Sequence, residues 1–151
     1  MPQLSRAEIE AIIPHRDPFL FVDRISDVEY GKRAVGWIDD VGRHQLILSG
    51  HFPGFPVLPG AILVEALAEV GAVAALGLDG YRGKLGVLAG LDGWKFRRMA
   101  RPGDQVRLEA ELLRLRANFG KGRLSATIGG EVAAEGELTF GIIDRPAELQ
   151  G

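Results

Sequence analysis

His51, Gly60 and Glu65 stand nine and five residues apart in the stretch "GHFPGFPVLPGAILVEALAE" (Gly50–Glu69), and their types suit one kind of chemistry. A histidine, with an unperturbed pKa of about 6.5, can accept a proton near neutrality without special tuning. A glutamate set among Ala61, Ile62, Leu63, Val64, Ala66, Leu67 and Ala68 is favoured in its protonated form and can give a proton back. A glycine at a helix start exposes a backbone N–H with no side chain in the way, well suited to a carbonyl oxygen gaining negative charge. Base, acid and N–H donor together suit elimination beside an acyl carbonyl. The base removes the proton next to the carbonyl while the acid helps a hydroxyl leave from the adjacent carbon.

Each residue also has a plainer reading that spacing leaves open. His51, beside Phe52, fits a hydrogen-bonded structural histidine, and Glu65 fits a partner for an arginine or for buried polar groups. Pro53, Pro56 and Pro59, interleaved with Gly54 and Gly60, fit a rigid loop that leads a helix into a sheet. Whether His51 and Glu65 meet within one chain or across a homodimer is equally open. Glu69, four residues beyond Glu65, falls near the same helix face, where repulsion raises the proton affinity of one carboxylate unless Glu69 emerges at a solvated edge.

The elements that must position these residues follow from propensity and period. Ala61–Leu76 combines strong helix formers over about 24 Å, with Pro59 at its start and Gly77 as its stop. The run is apolar almost all round, so it predicts a central helix covered on its broad faces. A shorter helix is expected from Ser5 to Ile13, capped by Ser5 and Glu8 and ended by Pro14. "FLFV" (Phe19–Val22) and "KRAVGWID" read as strand-like. Val106, Leu108, Ala110 and Leu112 alternate with polar residues, as do Leu124, Ala126 and Ile128. Gly129 and Gly130 suit a tight reversal into a strand where Val132, Ala134, Leu138 and Phe140 share one parity and Gly136 leaves a small space. One buried helix followed by consecutive hairpins predicts an α+β fold, its antiparallel sheet curved around the helix.

Composition narrows the function classes. The 151 residues fit one domain, and 46% hydrophobic and 25% charged residues with a net charge of -2 are ordinary for a soluble globular chain. No basic excess points to nucleic acid. Cysteine is absent, and His15, His44 and His51 show no zinc-type spacing, so no metal is expected. The opening residues lack an apolar signal-peptide core and no stretch is long enough to span a membrane, which predicts a cytoplasmic protein. The closing "DRPAELQG" reads as a short surface tail.

Three stretches in consistent order carry a family resemblance: "IIPHRDPFLFVDR", "GHFPGFPVLPGAILVEALAE" and "GLDGWKFRRMARPGDQVRLEAEL". The chain resembles, from about Ile12 to Ile143, the 3-hydroxyacyl-acyl-carrier-protein dehydratases of bacterial type II fatty-acid synthesis, broad-chain-length subgroup. The resemblance implies a hot-dog fold, a curved antiparallel sheet wrapped around a long helix, as the residues themselves suggest. It implies a homodimer with two interface sites, in some members assembled further as a trimer of dimers. His51 then matches the catalytic histidine, Glu65 the catalytic acid of the opposite subunit, and Gly60 the N–H that contacts the thioester carbonyl. Phe55 stands where an aromatic, usually tyrosine, gates the acyl channel. No cofactor is implied, since phosphopantetheine is carried by the substrate protein. Glu69 replaces a common glutamine, Asp17 replaces a common aromatic, and "HQLILSG" lacks the usual asparagine-glutamate-proline-phenylalanine.

Lys95, Arg97, Arg98 and Arg101 form a local basic cluster suited to an acidic acyl carrier protein, or simply to a solvated strand and loop. Two other functions stay in view: thioester hydrolysis, also found on hot-dog folds, and non-catalytic binding of an acyl carrier.

Overall fold

The computed structural model describes residues 2–149. Helix α1 (Arg6–Glu10) opens with the predicted capping box, in which Ser5 Oγ accepts from the Glu8 N–H and Glu8 Oε1 accepts from the Ser5 N–H. It is shorter than the sequence suggests, because the N–H groups of Ile12 and Ile13 both turn back to the Ile9 carbonyl ahead of Pro14. Phe19–Val22 is not a strand. Leu20, Phe21 and Val22 are buried as an apolar run should be, but the N–H groups of Phe21 and Val22 donate to a side chain, Glu69 Oε1, at 2.9 and 3.2 Å. Strand pairing starts later, with β1 (Arg24–Glu29) and β2 (Arg33–Ile38).

Helix α2 (Gln45–His51), which sequence patterning does not announce, delivers His51 at its last turn. Helix α3 (Gly60–Leu76) is the expected central helix, and it buries Leu63, Leu67, Val70 and Val73 among others. Gly77 ends it in a right-handed conformation, so a left-handed stop is not what requires glycine there. The requirement is space, since an added Cβ would overlap the Tyr30 ring.

Four long strands come after α3: β3 (Lys84–Phe96), β4 (Val106–Arg116), β5 (Phe119–Ile128) and β6 (Glu131–Asp144). Together with β1 and β2 they form one curved six-stranded sheet in the order β1-β2-β4-β5-β6-β3, every pair antiparallel. The helix α3 packs most extensively on β4, where Val106, Leu108 and Ala110 are buried as their alternation predicts. Gly129 and Gly130, at φ 57° and 81°, make the reversal between β5 and β6.

One position breaks the predicted parity. Val132 is exposed, because the register slips between Ala126↔Ala134 and Thr127↔Val132, and the inserted Ala133 turns inward beside Ala134. The space at Gly136 is filled by the indole of Trp94, whose Nε1–H donates to the Glu137 carbonyl at 2.8 Å. The expected tail begins one residue later than the sequence suggests, because Asp144 still belongs to β6. Arg145 holds the segment down by donating to the carbonyls of Lys84 and Ile12, and the last two residues of the tail lie outside the described ones.

Strand β3 forms the sheet edge next to β6. It is thirteen residues long, and Val87, Leu88 and Leu91 are exposed on it. A long apolar edge of this kind is a template for another strand.

Candidate active site

His51 is aimed by the turn that comes after it. Its Nδ1 lies 2.9 Å from the Val57 carbonyl oxygen, and its ring stacks on Phe52 with centroids 4.0 Å apart. A carbonyl only accepts, so Nδ1 carries the hydrogen and Nε2 keeps a lone pair for proton abstraction. The histidine is half-buried in the wall of a cavity of about 340 Å³ that also touches Gly60, Leu63, Phe96, Arg97 and Arg98. No side chain caps the start of α3 at Pro59, and Gly60, its first residue, lines this cavity. A Cβ added there would stand 3.0 Å from the Phe96 ring, a tight contact that the ring would have to relieve by shifting.

Glu65 faces elsewhere. At 3.6 residues per turn it lies about 140° around the helix from Gly60. It lines a narrower, mostly apolar cavity of about 110 Å³ with Ala68, Ala72, Leu88, Leu138 and Phe140. Within one chain, then, His51 and Glu65 line different cavities, while Gly60 stays with His51. A residue that sequence reasoning misses stands beside the acid: His15 Nε2 lies 3.2 Å from Glu65 Oε1. No local signal links the turn "PHRDP" to a helix fifty residues away, so only the fold makes this pair visible.

Of the two glutamates, Glu69 is the buried one. Glu65 keeps a quarter of its side chain exposed, whereas Glu69, which the sequence allows at a solvated edge, is fully buried. Burial, reinforced by the negative charge of Glu65, raises the Glu69 carboxyl to about 8 against the pull of the two N–H groups on Oε1. Its Oε2 has no hydrogen-bond partner. His15, Glu65 and Glu69 each place one potential ligand atom within 4.8 Å of the others, a grouping that sequence spacing could not show. A carboxyl that holds its proton at neutral pH weakens that set as a metal site.

Phe55 lines neither cavity. It is exposed, with the Arg101 guanidinium 4.6 Å from its ring centroid. The basic cluster divides. Arg97 and Arg98 line the His51 cavity, paired with Glu135 and Glu131 respectively, and Arg97 also borders an outer groove that holds Lys95 with Glu109, Glu111 and Glu137.

Known proteins share both the sequence pattern and the fold. Residues 13–137 match the model of the FabA-like domain. A Geobacillus thermodenitrificans protein named 3-hydroxyacyl-[acyl-carrier-protein] dehydratase FabZ is 52% identical over 144 residues, covering 95% of this chain and 99% of that one. A Bacillus pumilus protein of the same name is 54% identical over 139 residues, covering 92% and 96%. Among solved structures, the dehydratase heterocomplex ApeI:P from Xenorhabdus doucetiae superposes with a TM-score of 0.74 at 18% identity, over 93% of this chain and 92% of that one. A mutant thioesterase from Pseudomonas aeruginosa superposes at 0.61 with 17% identity, over 82% of each chain. At such identities the structural likeness shows the shared fold.

Proposed function

The chain belongs to the FabA-like family, and on that premise we propose a dehydratase whose working site is assembled from two chains. The reaction is the reversible dehydration of a 3-hydroxyacyl-acyl-carrier-protein to the 2-enoyl product in fatty-acid synthesis. His51 Nε2 takes the proton from C2, and the Gly60 N–H stabilises negative charge on the thioester oxygen. Glu65 gives its proton to the hydroxyl on C3, the C3–O bond breaks, water leaves and the C2=C3 bond forms in the trans geometry. His51 leaves the step protonated and Glu65 ionised, and exchange with solvent restores both.

The observation that carries this reading is the Nδ1 contact to the Val57 carbonyl, which fixes the histidine in the tautomer a base needs. The acid, the base and a backbone N–H supply what the elimination needs, so the reading calls for no cofactor or metal, and phosphopantetheine arrives on the carrier.

A second chain explains the separation of base and acid. Strand β3 reaches both cavities, with Val87 and Leu88 at the Glu65 pocket and Phe96 at the His51 cavity. Antiparallel pairing of two β3 edges centred between Leu91 and Asp92 sets Val87 of one strand opposite Phe96 of the other. The His51 cavity of one chain then meets the Glu65 pocket of its partner, and Val87, Leu88 and Leu91 become covered. Association of such dimers into a trimer of dimers is compatible with this pairing. Arg97 and Arg98 at the cavity mouth are the cations we assign to an acidic carrier, while Lys95 faces away. Among the described residues no helix is long and apolar enough to cross a membrane, and we place the reaction in the cytoplasm, with its carrier.

Product analysis with a panel of carrier-linked 3-hydroxyacyl chains tests the reading. Enoyl thioester should form without added metal or nucleotide. Free acid with carrier thiol would instead indicate hydrolysis, and saturable carrier binding without turnover would indicate a binding protein.

A further inference from the structure

We propose that Glu69 is a positioning residue that holds a proton beneath Glu65, so that Glu65 can become a carboxylate during turnover without a second negative charge beside it. The inference rests on the assignment of Glu65 as the acid. Its basis is geometric. Glu69 has no exposed surface, its Oε1 is saturated by the Phe21 and Val22 N–H groups, and its Oε2 meets no protein donor. An ionised carboxylate in that position would leave one oxygen with neither hydrogen bond nor cation, whereas a neutral acid leaves a hydroxyl.

The surroundings offer little to offset an ionised Glu69. On its own helix the facing group is Glu65, and from the segment before β1 it is His15, both with polar atoms within 4.8 Å of the Glu69 carboxylate. From α1, Arg6 lends a weak opposing charge, but its guanidinium is already shared with Asp17 and Asp23. From the strands beneath α3 come apolar side chains, Ala34, Ala110 and Leu124 among them. The carboxyl is accordingly pushed up to about 8, by burial first and by Glu65 second, with the Arg6 charge and the two N–H groups opposing.

The consequence appears in the direction of proton flow. When Glu65 protonates the leaving hydroxyl it acquires negative charge, and a neutral Glu69 does not oppose that charge. Once Glu69 ionises, like-charge repulsion raises the proton affinity of Glu65 and makes it a poorer acid. Dehydration should therefore slow on the alkaline side, by up to about tenfold between pH 7 and pH 9 for a group titrating near 8.

The test combines a rate profile with a direct view of the proton. Enoyl product formation is measured from pH 6 to pH 9.5 for the wild type and for Glu69→Gln, which keeps the shape and cannot ionise. Infrared spectra record the protonated carboxyl band in the wild type, in Glu69→Gln and in Glu65→Gln. The expected result is an alkaline fall in the wild type that Glu69→Gln lacks. It comes with a protonated carboxyl band in Glu65→Gln, where Glu69 is the carboxyl left of the pair, that is present at pH 6.5 and fades by pH 9.5, and with the loss of this component from the wild-type spectrum in Glu69→Gln. The same alkaline fall in both proteins, or no such band in the wild type and Glu65→Gln, overturns the proposal. The infrared result stands even if Glu69→Gln folds poorly. Undiminished turnover by Glu65→Gln would instead overturn the assignment of the acid, which keeps the two failures apart.

Discussion

The His51 cavity and the Glu65 pocket flank the same helix, yet they treat polar groups in opposite ways. At the start of α3, a half-buried histidine stacks on an exposed Phe52, donates to a carbonyl and shares a wide cavity with two arginines. Further along, Glu65 lines a narrow space walled by Leu88, Leu138 and Phe140, and Glu69, one turn on, is fully buried. In the proposed reaction, a base that must keep its lone pair is served by a fixed tautomer. In the proposed two-chain site, pairing of β3 edges is what would bring the two environments together.

Breaking either half gives the largest effects. His51→Ala and Glu65→Gln should each lower the rate of enoyl formation by about 10²–10⁴ fold, measured as product at saturating carrier substrate. Retention of full turnover in both variants would contradict the assignment. The next effect sharpens the contrast in polarity. Because Glu69 titrates near 8 in the fold and at an ordinary 4.5 when unfolded, the stability its protonated form confers is complete below about 4.5 and is lost as pH rises towards 8. Urea unfolding at several pH values should show wild-type stability falling relative to Glu69→Gln across this window, by up to about 1.4 kcal/mol per pH unit. Comparing the two proteins removes the opposite trend from His44, whose pKa burial pushes down. Parallel curves would mean that Glu69 does not hold a proton.

Sheet and helix differ in how much of themselves they show in the sequence. Strand parity at Val106, Leu108, Ala110, Leu124 and Ala126 is legible because a two-residue period survives wherever one face is buried. Val132 escapes that logic because a bulge adds one residue without leaving any mark on composition. Phe19–Val22 resembles a strand because Leu20, Phe21 and Val22 are buried, but the partner for the Phe21 and Val22 N–H groups is a carboxyl about fifty residues on. His51, Gly60 and Glu65 can be picked out by residue type, and where each faces cannot. Since α3 is apolar nearly all round, its sequence has no polar face to show which glutamate is buried, and the structure buries Glu69 fully. The His15 contact depends on the same long-range folding.

Smaller effects probe the walls and the mouth. Gly120→Ala would drive a Cβ into the Phe140 ring, which lines the Glu65 pocket. Thermal or urea unfolding should register a loss of about 1–3 kcal/mol, and the preference among acyl chain lengths should shift while the His51 side is untouched. An unchanged preference would remove Phe140 from the channel. Combined Arg97→Ala and Arg98→Ala should weaken carrier binding several-fold at low salt and far less at high salt, read by titration calorimetry. Equal affinity under both conditions would leave those arginines to their ion pairs with Glu135 and Glu131.

Subunit mixing tests the shared site most directly. His51→Ala and Glu65→Gln, each inactive alone, are co-expressed with different tags, and the hybrid carrying one chain of each is isolated. If each site takes its histidine from one chain and its glutamate from the other, the hybrid contains one doubly altered site and one intact site. Enoyl product should then reappear in the hybrid. A hybrid as inactive as its parents would mean that both groups serve within a single chain, and would contradict the two-chain site.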